Sequence, residues 1–399
     1  MGVHVLDEAN RCLRCADPMC RKGCPVNTAI PEMIDELKKN DVDKAGDMLF
    51  ENNPLSLICS FICDHESQCE GHCRLGTNTN PVHISSIENY ISNAYFDKMK
   101  CKRMPSNGKM VAVIGAGPAG ITISFILAKL GYDVTIFDAK DKIGGVLQYG
   151  IPEFRLPKTI LDRYRKKLLE LGVRIRPNAT IGGALEIDEL FRDGYKSVFA
   201  GTGVWRPKKL GVKGETLGNV HFAIDYLANP QAFELGENAA IIGNGNAAMD
   251  VARTMLRNGV QKVTLYGRGA EIAANPHEVA YAKLDGAEFV THKQIVEITE
   301  KGPVFEDTLN PGKPELAPAD ATIIAISQGP KNKLTSTTKG LKSSDKGLLI
   351  TDERGKTTTE GVFAAGDVVN GAKSVVAAVA NAKVVAQEMH LFMSENQEK

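Results

Sequence analysis

Eight of the nine cysteines in this 399-residue chain fall before residue 74, in two compact groups. The first is Cys12-x2-Cys15-x4-Cys20-x3-Cys24-Pro25, and the second is Cys59-x3-Cys63-x5-Cys69-x3-Cys73. Thiolates at this spacing, with a proline after the fourth cysteine, belong to iron–sulfur chemistry of the bacterial ferredoxin kind, in which one run of cysteines serves two clusters. Structural zinc sites pair Cys-x2–4-Cys with a second such pair, so a zinc or interaction module fits the x4, x3, x5 and x3 intervals poorly.

Two glycine turns carry a second chemistry. Gly115-Ala116-Gly117-Pro118-Ala119-Gly120 follows an apolar run at 109–114 and opens an apolar helix expected over 121–130. Gly115 permits the tight turn, Gly117 lets a pyrophosphate approach the backbone, and Gly120 lets helix and strand pack closely. Pro118 and Ala119 open the helix, whose N-terminus offers amide donors and a positive dipole end. Asp138 ends the next strand, 18 residues past Gly120, where a carboxylate accepts bonds from ribose hydroxyls. Two further features favour FAD over a nicotinamide here: Gly144-Gly145-Val146-Leu147 offers a second close backbone approach, and Ala364-Ala365-Gly366-Asp367 reads as a strand ending in Gly-Asp.

The second turn is Gly243-Asn244-Gly245-Asn246-Ala247-Ala248, with alanine in the third glycine's place. A helix over 249–256 and a strand over 263–266 are expected after it, and Gly267-Arg268-Gly269 then occupies the position that distinguishes coenzymes. NADH asks there for a carboxylate toward the 2′-hydroxyl, and NADPH for cations toward the 2′-phosphate. Arg268 serves a 2′-phosphate or stacks on adenine, so these residues alone leave NADH and NADPH both open.

Residues 1–105 lack strand alternation and read as helical, with a helix starting near Ile30-Pro31. Residues 105–108, Pro-Ser-Asn-Gly, form a linker by composition. The interval between the glycine turns reads as strand-rich, and 198–203 as a strand ending in a small-residue crossing at Thr202 and Gly203. A closing helix is expected from Ser374 to about residue 393. The fold class is α/β: two nested Rossmann-like dinucleotide-binding domains behind an α-helical iron–sulfur domain. The expected boundaries are 1–105 for the helical domain, 106–236 and 331–399 for the FAD domain, and 237–330 for the NAD(P)H domain.

Composition sets the outer limits. Lys+Arg and Asp+Glu balance at 48 each, which gives no basic face for a nucleic acid. No apolar run reaches the roughly 18 residues of a membrane span, and the first residues carry no signal-peptide pattern. Nine cysteines in that setting read as reduced metal ligands of a cytoplasmic protein. No Cys-x-x-Cys follows residue 73 and the eight histidines are scattered, so no catalytic residue is assigned. His277 reads as a surface histidine, and Glu153 as structural.

These motifs, together with the run Tyr149-Gly150-Ile151-Pro152-Glu153-Phe154-Arg155-Leu156-Pro157-Lys158, resemble the family of glutamate synthase small subunits. That family also covers the flavoprotein part of dihydropyrimidine dehydrogenases, and the resemblance spans nearly the whole chain. It implies FAD lined by Gly145, Leu147, Arg155, Thr202, Gly203, Gly366, Asp367 and Ser374 as well as by the first glycine turn. It implies two [4Fe–4S] clusters with crossed ligation: Cys12, Cys15, Cys20 and Cys73 on one, and Cys24, Cys63, Cys69 and Glu88 on the other. Glu88 lies one residue closer to Cys73 than the family's pattern places it. From the residues alone, Cys59 would be the ligand and Glu88 would sit on a helix surface. With Glu88 as ligand, Cys59 and Cys101 become packed thiols. NADPH-using members carry two adjacent arginines where this chain has Gly267-Arg268, a departure that points to NADH. The implied activity is electron input: hydride from NADH or NADPH to FAD, then single electrons through the clusters to a catalytic reductase subunit or ferredoxin-like acceptor in a hetero-oligomer. The alternative is a self-contained ferredoxin–NAD(P)H reductase or sulfide-oxidising flavoprotein.

Overall fold

The computed structural model describes residues 4–100 and 102–395; Cys101 and its expected packing lie outside them. The chain forms two compact units. One comprises the residues up to Leu147, Glu153–Val204 and those from Pro330 onward; the other comprises Gln148–Pro152 and Trp205–Gly329.

The first unit begins with helices, and no strand precedes Met110 among the described residues. Helices Ile30–Lys38, Val42–Asn52, Ser56–Ile62 and Ile84–Phe96 are its main pieces. Pro31 sits in the first turn of its helix, where no backbone N–H is needed. Asp41 caps the next helix by accepting from Lys44 N at 2.9 Å. Apolar residues at helical spacing, among them Ile30, Ile34, Leu37, Leu49, Ile87 and Ile91, close one buried core.

The same unit holds a five-stranded parallel sheet in the order Val362–Ala364, Tyr195–Ala200, Met110–Ile114, Asp133–Phe137, Arg174–Arg176. The apolar runs Val111–Ile114 and Val134–Phe137 are buried throughout, as parallel strands covered on both faces must be. Helix Pro118–Lys129 packs on helix Val375–Glu395. The helical segment is joined to this sheet region by polar contacts: Arg163 Nε to Asp97 Oδ1 at 3.0 Å, Lys167 Nζ to Met99 O at 3.0 Å, and Lys383 Nζ to Asn52 Oδ1 at 2.7 Å.

The second unit repeats the design with the order Val220–Phe222, Ala321–Ile324, Asn238–Ile242, Lys262–Tyr266, Glu288–Val290. An antiparallel meander of Lys293–Thr299, Gly302–Asp307 and Glu315–Leu316 is added to it, an element the sequence reading does not contain.

Two expectations are corrected. The interval between the glycine turns is mixed, not strand-rich: it includes the 13-residue helix Lys158–Glu170, whose buried Ile160, Leu161, Tyr164 and Leu168 recur at helical spacing. Residues 205–236 group with the second unit, ahead of the expected boundary at 237, because Val220–Phe222 pairs with Ala321–Ile324 and helix Ala223–Ala228 packs on helix Asn246–Arg257. Among the described residues no helix is long and apolar enough to cross a membrane.

Candidate functional site

Cys12, Cys15, Cys20 and Cys73 line one cavity, with about 400 Å³ of empty space that is partly open to solvent. Cys20 lies in the short helix Met19–Lys22, and Cys73 precedes the turn Arg74–Thr77. Arg14, between Cys12 and Cys15, adopts φ 50°, and Asp35 holds its guanidinium at 2.6 Å. Burial pushes the Cys12 thiol up and the Cys20 thiol to about 11, and neighbouring thiols add to both shifts. Binding iron would therefore release protons, as metal binding by thiols does. Leu13, on the same loop, is 61% exposed and extends the apolar rim.

The remaining expected ligands gather separately. Cys69 is buried, and its thiol is raised by burial first and then by Glu88, Glu70 and Cys24. Cys63 is raised well above its ordinary value, first by a hydrogen bond with Cys59 and then by burial, with Glu88 and Cys69 nearby. Glu88 is 9% exposed, which overturns the helix-surface placement. It faces inward because 84, 87, 88 and 91 share one stripe of helix Ile84–Phe96. Burial lifts its carboxyl to about 7, opposed by Ser56 Oγ, which donates to Oε1 at 2.6 Å. Cys59, the alternative ligand, is buried beside Cys63.

Among the described residues no three His, Cys, Asp or Glu side chains close around a point tightly enough for a single ion. The first group instead rings open space with four soft sulfur donors, a donor set suited to an iron–sulfur cluster.

Two connections escaped the sequence reading. Glu70, next to Cys69, accepts from Ser85 N at 2.8 Å and from Ser85 Oγ at 2.7 Å, which ties the second cysteine group to the first turn of the helix bearing Glu88. A hydrogen-bonded chain also leads from Cys24 to the closing helix. Cys24 Sγ donates to Thr28 Oγ1 at 3.3 Å, Asn52 Nδ2 donates to Thr28 Oγ1 at 3.3 Å, and Lys383 Nζ donates to Asn52 Oδ1 at 2.7 Å. The acid after Cys69 was a visible signal for the first connection. Nothing local signals the second.

The first glycine turn has the geometry its spacing calls for. Gly115 has φ 100°, and a Cβ there would meet Gly201 O at 2.5 Å; a Cβ at Gly120 would meet Gly115 O at 1.9 Å. At Gly117 the nearest atom to such a Cβ is Gly145 Cα at 4.0 Å, so this face of the helix N-terminus is an open cradle. Pro118 and Ala119 begin the helix as expected. Asp138 is buried and latches the turn: its oxygens accept from Ala116 N at 2.6 Å and Lys140 N at 2.7 Å. Burial raises its carboxyl, and each oxygen keeps a second lone pair for a ribose hydroxyl.

Three other expected flavin residues meet the same turn. Gly145 (φ 55°) packs against Gly117, Thr202 crosses over Gly115, and Gly366 lies against Ala119. Gly203 follows with φ 67°. Leu147 is buried, and its carbonyl accepts from Lys158 Nζ at 2.6 Å. Arg155 lies between the helices Val146–Tyr149 and Lys158–Glu170. Asp367, raised to about 6 by burial, opens the short helix Asp367–Asn370. Ser374 precedes helix Val375–Glu395, and its Oγ accepts from Ala377 N at 3.4 Å. An open backbone cradle, a buried acid with free lone pairs and a helix N-terminus together fit a dinucleotide such as FAD.

In the second unit Gly243 has φ 127°, and its Cβ would meet Ala325 O at 2.4 Å; Gly245 faces open space. Asn246 and Ala247 start the helix, and Asn246 Oδ1 accepts from Asn275 N at 2.8 Å. Arg268 is exposed in the loop after the second strand. His277 is exposed, as expected.

Family models match three stretches of the chain. A family model described as dihydropyrimidine dehydrogenase domain II, 4Fe-4S cluster, matches residues 2–100. Models described as NAD(P)-binding Rossmann-like domain and as pyridine nucleotide-disulphide oxidoreductase match 113–158 and 184–382. The chain is 33% identical to the glutamate synthase [NADPH] small chain of Halomonas elongata, over 93% of this chain and 87% of that one. It is 31% identical to the NAD-dependent dihydropyrimidine dehydrogenase subunit PreT of Salmonella typhimurium, over 98% of this chain and 95% of that one. Among solved structures, T. acidophilum thioredoxin reductase shares the fold at TM-score 0.59 and 22% identity, over 72% of this chain and 98% of that one.

Proposed function

Because this chain belongs to the family of glutamate synthase small chains and PreT-type dihydropyrimidine dehydrogenase subunits, we propose that it is the electron-input subunit of a cytoplasmic two-part reductase. It oxidises NAD(P)H, with NADH preferred, and delivers electrons to a separate catalytic subunit. Bound FAD would supply a hydride acceptor for the nicotinamide, and two [4Fe–4S] clusters would supply one-electron carriers beyond it. The observation that carries this reading is the sorting of the cysteines and Glu88 into two separate groups within the same compact unit as the first glycine turn.

The residues have distinct tasks. Gly117 and the helix it starts receive the pyrophosphate, while Asp138 fixes the turn and accepts from ribose. With FAD bound, Asp367 would accept from the ribityl chain, and the N-terminus of Val375–Glu395 would stabilise negative charge on the flavin. Cys12, Cys15, Cys20 and Cys73 hold one cluster; Cys24, Cys63, Cys69 and Glu88 hold the other. Gly243, Gly245, Asn246, Ala247 and Arg268 hold the NAD(P)H.

Gly117→Val tests the flavin assignment cleanly. The backbone there has φ −76°, which valine adopts, and the added side chain enters open space, so folding tolerates it while the cradle is filled. The variant should be purified with intact iron content and no flavin. Flavin content equal to the unchanged protein's would refute the placement. Flavin, iron and sulfide analysis of the unchanged protein should give one flavin and two four-iron clusters per chain.

A further inference from the structure

In a nucleotide-binding βαβ unit, the residues just past the second strand face the adenosine ribose and meet either a 2′-hydroxyl or a 2′-phosphate. Here they are Gly267, Arg268 and Gly269, directly after strand Lys262–Tyr266. Gly267 is buried and pinned on both sides: its N–H donates to Val290 O at 2.9 Å, and its carbonyl accepts from Lys293 N at 3.0 Å. A Cβ at position 267 would stand 2.5 Å from Asn244 Nδ2 and 3.3 Å from its Cγ, but 3.7 Å from its Cβ. The obstacle to a Cβ at 267 is therefore the amide group of Asn244 and nothing nearer the backbone.

That amide is held in place. Asn244 Nδ2 donates to Glu271 O at 3.0 Å, and Asn244 O accepts from Ala274 N at 3.0 Å. Two residues further on, Asn246 Oδ1 accepts from Asn275 N at 2.8 Å. These three bonds clamp the 271–275 loop onto the glycine turn and keep the Asn244 amide over residue 267. Arg268 is the only Lys or Arg in residues 267–275. Lys293, whose backbone touches Gly267, turns its ammonium to Asp307 at 3.3 Å and Glu315 at 3.6 Å.

We propose that Asn244 restricts coenzyme choice through position 267: its anchored amide fills the space a side chain there would take, so that Arg268 remains the single arginine of the loop and the site suits a dinucleotide with a free 2′-hydroxyl. The proposal rests on the second unit binding NAD(P)H, as proposed above. It adds a dependence that Arg268 alone does not carry: a second arginine at 267 is useful only after the amide has gone.

The test is a double-mutant cycle on the FAD- and iron-replete full chain, under anaerobic conditions. Flavin bleaching by NADH and by NADPH gives the rates, and equilibrium binding of NAD⁺ and NADP⁺ gives the affinities. The unchanged protein should favour NADH. Asn244→Ala should leave the NADPH/NADH ratio within about twofold, because the alanine Cβ keeps an ordinary contact distance to residue 267. Gly267→Arg alone should gain little for NADPH, whereas Asn244→Ala/Gly267→Arg should exceed the product of the two single effects by about tenfold, within the coupling known for residues in contact. Gly267→Ala, with and without Asn244→Ala, gives the same cycle with the smallest possible side chain, read as the Glu271 loop's protection from amide exchange, should the arginine variants fold poorly. Additive effects, or a full switch by Gly267→Arg alone, would overturn the proposal, as would an unchanged protein that favours NADPH. If neither nucleotide bound the unchanged protein, the assignment of the second unit itself would fall, a result distinct from additivity.

Discussion

The two thiol groups use the same residue type in opposite surroundings. The Cys12, Cys15, Cys20 and Cys73 group opens partly to solvent beside the exposed Leu13, and its residues come from turns and very short helices. The other group includes the buried Cys69 and Glu88 and touches the long-range chain from Cys24 through Thr28 and Asn52 to Lys383. Lys383 belongs to helix Val375–Glu395, which begins just past Asp367 at the flavin cradle. A cation near a buried cluster favours the more negative, reduced state, and it does so more strongly where water is excluded. The two groups thus differ in what surrounds them: a hydrogen-bonded chain ties Cys24 to Lys383 of the closing helix, and the Cys12 group borders solvent.

The largest test of that contrast is Glu88→Ala. One cluster's spectroscopic signal should be lost or converted, with flavin retained; outright loss removes about half of the iron. Two intact clusters would remove Glu88 from the ligand set and return Cys59 to it. Next in size is Lys383→Met. By removing one charge it should lower the reduced-to-oxidised ratio of the Cys24-group cluster about tenfold at a fixed potential, equal to ~59 mV for one electron, and leave the other cluster unchanged. Equal shifts at both clusters would erase the distinction between the groups.

Smaller still is Cys59→Ser, for which both clusters should persist, since Cys59 acts on Cys63 through a hydrogen bond; loss of a cluster would make it a ligand. The smallest effect is on stability. Asp367 is raised to about 6 by burial, so in flavin-free protein its ionisation opposes folding as pH rises from about 4 through 6. Asp367→Asn should therefore raise Tm by roughly a few degrees at pH 7 and not at pH 4, while weakening FAD binding. A Tm gain that is the same at both pH values would contradict this origin.

Much of this was legible from local pattern. Gly115 and Gly243 stand at φ values that favour glycine, so the two turns announce themselves in sequence, as do apolar strands buried on both faces. The cysteine spacing points to iron–sulfur chemistry for the same reason. What stayed hidden is long-range. Glu88 is a charged residue that reads as surface, although Ile84, Ile87 and Ile91 share its stripe; its partner Ser56 comes from a separate helix. Lys383 is 331 residues from Asn52, a separation no spacing rule spans. The Asn244–Gly267 contact likewise needs the folded sheet to bring two turns together.

The most direct test of the central claim is an anaerobic absorbance and EPR measurement on freshly prepared, iron-replete protein given a small excess of NADH. The account predicts flavin bleaching together with a reduced-cluster signal in the same sample. Bleached flavin beside clusters that stay oxidised would contradict the path from nucleotide through flavin to iron–sulfur.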